Sequence, residues 1–250
     1  MSERRWYCVR QVAGPLVKEC RALRPRLSAD DSLYDRRLKN QILHPPRDSA
    51  VCHGPVDRLE LRIALFGYTG TFYSLTFDDD HLPVRWQEGK RLWRNYISRL
   101  RYSVGGTPLD CISCLEGQHG DHRYHFHAVF NDEQIPLTEV RRLWRYGVEI
   151  EDEPVLLPPR DSFRRLGIYL NKERRDGHII PIDTKPWVCS RSLLQKLPPP
   201  ERWMDTSGHI EIPDNVYNSG RNHIENEFGC YEYAWYIMNR ETYRRSLILK

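Results

Sequence analysis

The segment Tyr124-His-Phe-His-Ala-Val-Phe130 constrains the fold more than any other stretch of this chain. Side chains alternate sides along a β-strand, so Tyr124, Phe126, Ala128 and Phe130 share one face and His125, His127 and Val129 the other. Apolar and aromatic groups repeated along one face demand a covered sheet. The opposite face then carries two imidazoles one period apart, a spacing at which both can converge on a single ion. Neutral imidazole suits borderline divalent metals, and two histidines leave coordination positions for a carboxylate, water and substrate oxygens. The plainer reading of this pair is two histidines on the solvent face of an amphipathic strand, the other face of a sheet whose helices leave it open.

The pattern around that strand alternates between strands and helices. Leu59–Leu65 and Phe72–Phe77 read as strands separated by the turn Gly67-Tyr-Thr-Gly70. Over 87–104, Leu92, Trp93, Tyr96, Ile97 and Leu100 recur at helical spacing, and Gly105-Gly106 stops the helix. Strands near 110–116 and 124–130 are joined by the turn Gly117–Asp121. A second helix over 137–146, with Leu137, Val140, Leu143 and Trp144 on one side, ends at Gly147. Val148–Leu157 reads as a strand, and Asp161 or Ser162 caps a third helix running to about Glu173. Hairpin-connected strands with intervening helices predict an α+β fold, one antiparallel sheet with helices on one face. Residues 1–58, broken by Pro15, Pro25 and Pro45-Pro46, read as an irregular basic N-terminal extension to a domain over 59–197. Residues 198–250 form a C-terminal extension that opens on Pro198-Pro199-Pro200. Its aromatic cluster Tyr231, Tyr233, Trp235 and Tyr236 fits either helix or strand.

Two further residues join the histidines as candidates. Glu116 ends the strand before them, on the face shared by Ile112 and Cys114, where a hairpin brings it close enough to act as a third metal ligand. It also reads as a charge at a hairpin end facing water. In the third helix, Phe163, Leu166, Gly167 and Leu170 form the packing stripe, while Tyr169 lies at helical spacing from Arg165 and Lys172. Free tyrosine has a pKa of about 10, and neighbouring cations favour the phenolate that phosphoryl attack needs. Taken singly, such a tyrosine also fits an ordinary half-buried helix face. If Tyr73, Leu75 and Phe77 are core, Ser74 and Thr76 share the histidine face and are placed to touch DNA or order a metal-bound water.

Charge and cysteine content set the wider frame. The chain of 250 residues is 40% hydrophobic with a formal charge of +4, and no run approaches the ~18 apolar residues of a membrane span. The N-terminus lacks a secretory apolar core, which points to an intracellular, cytoplasmic protein. Lys90, Arg91, Arg94, Arg99 and Arg101 are interleaved with Trp86, Trp93, Tyr96 and Tyr102, a combination suited to single-stranded nucleic acid or, more blandly, to a solvated basic face. Seven cysteines, an odd number, argue against a disulfide framework. Cys111 and Cys114 form a CxxC with no second pair. Cys8, Cys20 and Cys52-His53 are possible zinc ligands, although their spacing matches no standard pattern and free thiols are the simpler reading.

Taken in order, four blocks resemble the HUH endonucleases, specifically the single-tyrosine rolling-circle replication initiators of small single-stranded DNA phages and plasmids. They are Phe72–Pro83, Glu116-Gly117 with His125-Phe-His127, Leu143-Trp-Arg-Tyr-Gly147, and Tyr169-Leu-Asn-Lys172. The likeness spans about 70–175 and implies a ferredoxin-like or RRM-like core. It implies Mg²⁺ or Mn²⁺ held by His125, His127 and Glu116, with Tyr169 as nucleophile forming a 5′-phosphotyrosine and freeing a 3′-hydroxyl. Lys172 then anchors the phosphate, and Arg165, Thr76, Ser74, Arg94 and Arg101 are DNA contacts. The implied partners are single-stranded DNA at an origin and, since no P-loop pattern is present, a helicase and polymerase of a bacterial host. No second tyrosine accompanies Tyr169, and Ser190-Arg191 only loosely matches the Ser-Arg pair of phage relatives. Related histidine and tyrosine chemistry makes a transposase or relaxase the nearest rival. The same residues also fit a non-catalytic single-stranded DNA-binding module or a small zinc hydrolase.

Overall fold

A computed structural model describes residues 5–23, 54–117, 123–147, 155–158, 162–171, 187–226 and 229–248. In chain order the strands are β1 (Trp6–Ala13), β2 (Leu16–Leu23), β3 (Gly70–Thr76), β4 (Cys111–Glu116), β5 (His125–Asn131), β6 (Val155–Leu156), β7 (Trp187–Cys189), β8 (Glu201–Asp205), β9 (Val216–Asn226) and β10 (Gly229–Met238). The helices are α1 (Pro55–Ala64), α2 (Trp86–Ser103), α3 (Leu137–Leu143), α4 (Phe163–Tyr169), α5 (Arg191–Leu194) and α6 (Arg240–Ile248). Antiparallel sheets combined with helices make this an α+β fold, as the strand and helix patterning predicts. The chain divides into two compact units, one of residues 65–196 and one of residues 1–64 with 197–250.

In the unit of residues 65–196, an antiparallel sheet runs in the order β6-β3-β5-β4-β7, with the histidine strand β5 at its centre. One face carries Tyr73, Leu75, Phe77, Leu115, Phe126, Ala128 and Phe130, packed with Trp93, Tyr96 and Leu100 of α2 and Val140 and Leu143 of α3. Trp93 stacks on Phe126 with ring centroids 4.5 Å apart, and Tyr96 Oη donates to the Val140 carbonyl at 2.8 Å. That second contact ties the two helices together over the sheet. The alternation read from 124–130 is therefore the alternation of this core.

The histidine face is covered as well. Phe72, Ile112 and Val129 are buried on it, because apolar groups of that size are not left facing water when a helix can cover them. α4 supplies Tyr169, whose ring meets Phe72 edge-on and lies against His127. Ser162 caps α4 by accepting from the Arg165 amide, and Phe163, Gly167 and Leu170 form its buried stripe. Helix α2 ends just before Gly105 and Gly106, both in the left-handed region, as the glycine pair predicts. Most of the strand expected over 148–157 lies outside the described residues. So does the turn beyond Gly117, apart from Arg123, and the end of the tyrosine helix at Lys172. Within 155–158, β6 pairs with β3.

The segment Leu59–Leu65 is a helix through Ala64, not a strand. Its sequence satisfies both periods, but Leu59 and Ile63 are four apart and both fully buried, while Pro55 supplies a helix-starting residue. The unit that contains it holds more regular structure than its prolines suggest. β1 and β2 form a hairpin within an antiparallel sheet ordered β8-β1-β2-β10-β9. The C-terminal aromatic cluster lies on strand β10, where Tyr231 and Tyr233 are buried at alternating positions. β2 is central enough to bury charges, so they are paired: Lys18 with Asp57 and Glu60, and Arg21 with Glu19 and Asp205. Cys8 and Cys20 are buried on opposite faces of the β1–β2 hairpin, since Val9 is the register partner of Cys20. Cys111 and Cys114, an odd number of residues apart on β4, also point to opposite faces, so neither pair can grip one ion. Cys52 and His53 lie outside the described residues.

Candidate active site

The site is assembled by strand register. His127 lies between Ser74 on β3 and Cys114 on β4, and His125 between Thr76 and Glu116. Glu116 is thus the direct cross-strand neighbour of one histidine and the diagonal neighbour of the other. Its Oε2 is 3.5 Å from His125 Nε2 and 3.3 Å from His127 Nε2, and the two Nε2 atoms are 3.2 Å apart. The circle through atoms so spaced has a radius of about 1.9 Å, so an ion slightly outside their plane lies about 2.0–2.2 Å from each, an ordinary metal–nitrogen or metal–oxygen bond length.

The tautomers favour the same arrangement. His125 Nδ1 lies 3.2 Å from the Arg123 carbonyl, which can only accept, so the proton of that hydrogen bond sits on Nδ1 and Nε2 presents its lone pair. His127 Nδ1 is 3.0 Å from Ser74 Oγ, turning its Nε2 inward too. Two nitrogens at 3.2 Å with their outer positions engaged are held best by a cation between them. Glu116 is 1% exposed and His127 3% exposed, so the ligand set is largely desolvated and its attraction for a cation is correspondingly strong. His125 is partly exposed, which leaves one side of the group open. The donor set of two imidazoles and a carboxylate fits a divalent metal.

Tyr169 Oη is 3.2 Å from His127 Nε2. Phe72 positions both groups: it stacks on the imidazole at 5.3 Å and meets the phenol ring edge-on at 6.1 Å. Tyr169 is 39% exposed, so its hydroxyl is reachable from solvent beside a buried ligand set. Arg165 is exposed on the same helix, one turn earlier. Thr76 is half-buried beside His125, and Ser74 is buried under His127. The structure does not bring Arg94 and Arg101 to this place: both are exposed on α2, which packs on the opposite face of the sheet. Lys172 lies outside the described residues.

Two contributions escape a reading of residue types alone. Phe72 shares the strand face of Ser74 and His127, and that parity is the available signal for its stacking role. The Leu143–Gly147 block buttresses β3. Trp144 Nε1 donates to the Thr76 carbonyl at 2.7 Å, and the Asp78 amide donates to the Tyr146 carbonyl at 2.8 Å. Gly147 runs so close that a Cβ would stand 2.3 Å from the Thr76 carbonyl oxygen.

Residues 70–174 match the model of a family of replication-associated proteins, the ORF2 group. The match takes in every residue of the site and supports a replication initiator. Neither the curated proteins nor the solved structures yield a match. Among the described residues no helix is long and apolar enough to cross a membrane.

Proposed function

We propose that the unit of residues 65–196 is a metal-dependent nicking and joining enzyme of the single-tyrosine HUH type that starts rolling-circle replication on single-stranded DNA. The observation that carries this reading is the phenolic oxygen of Tyr169 at 3.2 Å from an imidazole of a three-ligand metal group. A nucleophile and an electrophilic centre within one contact distance are what phosphoryl transfer needs.

In this reading Glu116, His125 and His127 hold Mg²⁺ or Mn²⁺, which supplies Lewis-acid polarisation of the scissile phosphate when bound. Tyr169 Oη attacks the phosphorus, loses its proton and becomes joined to the 5′ side of the break. The bond to the 3′ oxygen breaks, and that oxygen takes up a proton to become a free hydroxyl for a polymerase to extend. The tyrosyl ester keeps the phosphodiester's energy, so a later 3′-hydroxyl reverses the step and closes a circle without ATP. Phe72 holds the imidazole and phenol in mutual register, Arg165 and Lys172 offset the charge that builds on the phosphate, and Thr76 contacts the strand beside His125.

The test is a covalent adduct. Wild-type protein with Mn²⁺ and a labelled single-stranded origin library gives a protein–DNA adduct, and Tyr169→Phe gives none while retaining binding. His127→Ala removes metal-dependent cleavage. An adduct that survives Tyr169→Phe overturns the assignment of the nucleophile, and binding with no cleavage of any sequence makes the unit a DNA-binding module.

A further inference from the structure

The other unit carries a second group of metal-ligating side chains, on the paired strands β9 and β10. Register places Cys230 opposite Glu225 and Glu232 opposite His223, and the two residues of each strand are two apart. All four therefore stand on one face of the pair in consecutive rungs. That face is the wetter one, because Tyr231 and Tyr233 bury the other. His223 Nε2 lies 3.9 Å from Cys230 Sγ and 3.8 Å from a Glu225 carboxylate oxygen. His223 Nδ1 is 2.6 Å from Glu232 Oε1, a carboxylate that accepts the Nδ1 proton and leaves the Nε2 lone pair aimed at the thiol and at Glu225.

We propose that His223, Glu225 and Cys230 form a second metal site, selective for a zinc-type divalent cation, with Glu232 as the positioning residue for His223. A carboxylate on the outer nitrogen of a ligating histidine fixes its tautomer and raises its basicity. The thiolate is what separates this group from Glu116, His125 and His127, whose oxygen and nitrogen donors also suit Mg²⁺ or Mn²⁺; sulfur with imidazole selects zinc over those harder ions. In a tetrahedral zinc site the sulfur–nitrogen separation is about 3.6 Å and the nitrogen–oxygen separation about 3.4 Å. The observed separations exceed these by a few tenths of an ångström, a gap that torsion of partly exposed side chains closes. Binding displaces the Cys230 thiol proton to solvent, giving a thiolate–metal bond. Three protein ligands leave a fourth position for water or a further donor.

The experiment uses Co²⁺ as the probe on the full chain stripped with a chelator. Wild type develops a sulfur-to-cobalt charge-transfer band that saturates at one equivalent and is lost on adding Zn²⁺. Cys230→Ser abolishes the band. His223→Gln and Glu232→Gln each weaken Co²⁺ binding by at least about tenfold, with unchanged circular dichroism. His127→Ala leaves the band intact, since that group contains no sulfur, so failure of the nicking reading leaves this result untouched. No band in wild type, or an undiminished band in Cys230→Ser, overturns the proposal.

Discussion

His127 is gripped on every side that matters for its chemistry. Phe72 fixes the ring plane, Ser74 engages Nδ1, and Glu116, His125 and Tyr169 surround Nε2. The hydroxyl of Ser74 is the element of this grip that a single atom change removes. Ser74→Ala takes away the partner of a buried ring nitrogen without altering the sheet, so the fold persists while the imidazole gains freedom to turn. We expect Mn²⁺ binding, followed by calorimetry, to weaken about tenfold or more. Unchanged affinity would show that register and Phe72 alone orient the ring. At this scale the sequence is informative about identity. Period-two parity puts His125, His127, Ser74 and Thr76 on one face, and the register agrees. It says nothing of the Arg123 carbonyl behind His125, because a backbone contact leaves no residue-type signal.

At the scale of elements, the short segment after α3 holds the end of β3 in place. Trp144 and Tyr146 bond to the backbone of Thr76 and Asp78, and Gly147, at φ +155, passes against the same stretch. Gly147→Ala places a methyl group where the Thr76 carbonyl already stands, in a backbone region that side chains disfavour. The substitution should cost about 2–4 kcal/mol, read as a lower denaturant midpoint with unchanged slope. It should also impair metal binding, since Thr76 is the register partner of His125. A variant as stable as wild type would mean that the segment shifts freely. Strands β4 and β5 and helix α2 are legible in the sequence within a residue or two because their periods are unambiguous. Leu59–Leu65 is not, since its apolar residues fit both the two-residue and the helical period, and the choice falls to packing around Leu59 and Ile63.

Across the whole molecule, no disulfide joins the described cysteines, and several of them are buried. Burial, helped by neighbouring Cys8 and Glu19, pushes the Cys20 thiol up to about 12, and burial with Cys189 does the same for Cys111. Each unit thus contains a thiol that stays protonated when folded and ionises near the ordinary value of 9.0 when unfolded. Above that value the unfolded chain gives up protons that the folded chain keeps. Stability from this source is full below pH 9 and falls as the pH rises to about 12, by on the order of 1 kcal/mol per pH unit for each thiol. Urea midpoints at pH 8 and at about pH 10.5 measure it, and Cys20→Ala with Cys111→Ala should flatten the loss; an equal loss in that variant would assign it to other groups. The sequence by itself determined the α+β class, the sheet parity of the histidines and the helical neighbourhood of Tyr169, because these follow from local periods of two and of 3.6 residues. Only the tertiary structure decided that Glu116 stands within 3.5 Å of both imidazoles and that Tyr169 Oη reaches His127. It also joined residues 6–23 to residues 201–238 in one sheet. Those outcomes depend on register and on contacts between distant segments, which hydrophobic packing fixes and no local pattern encodes.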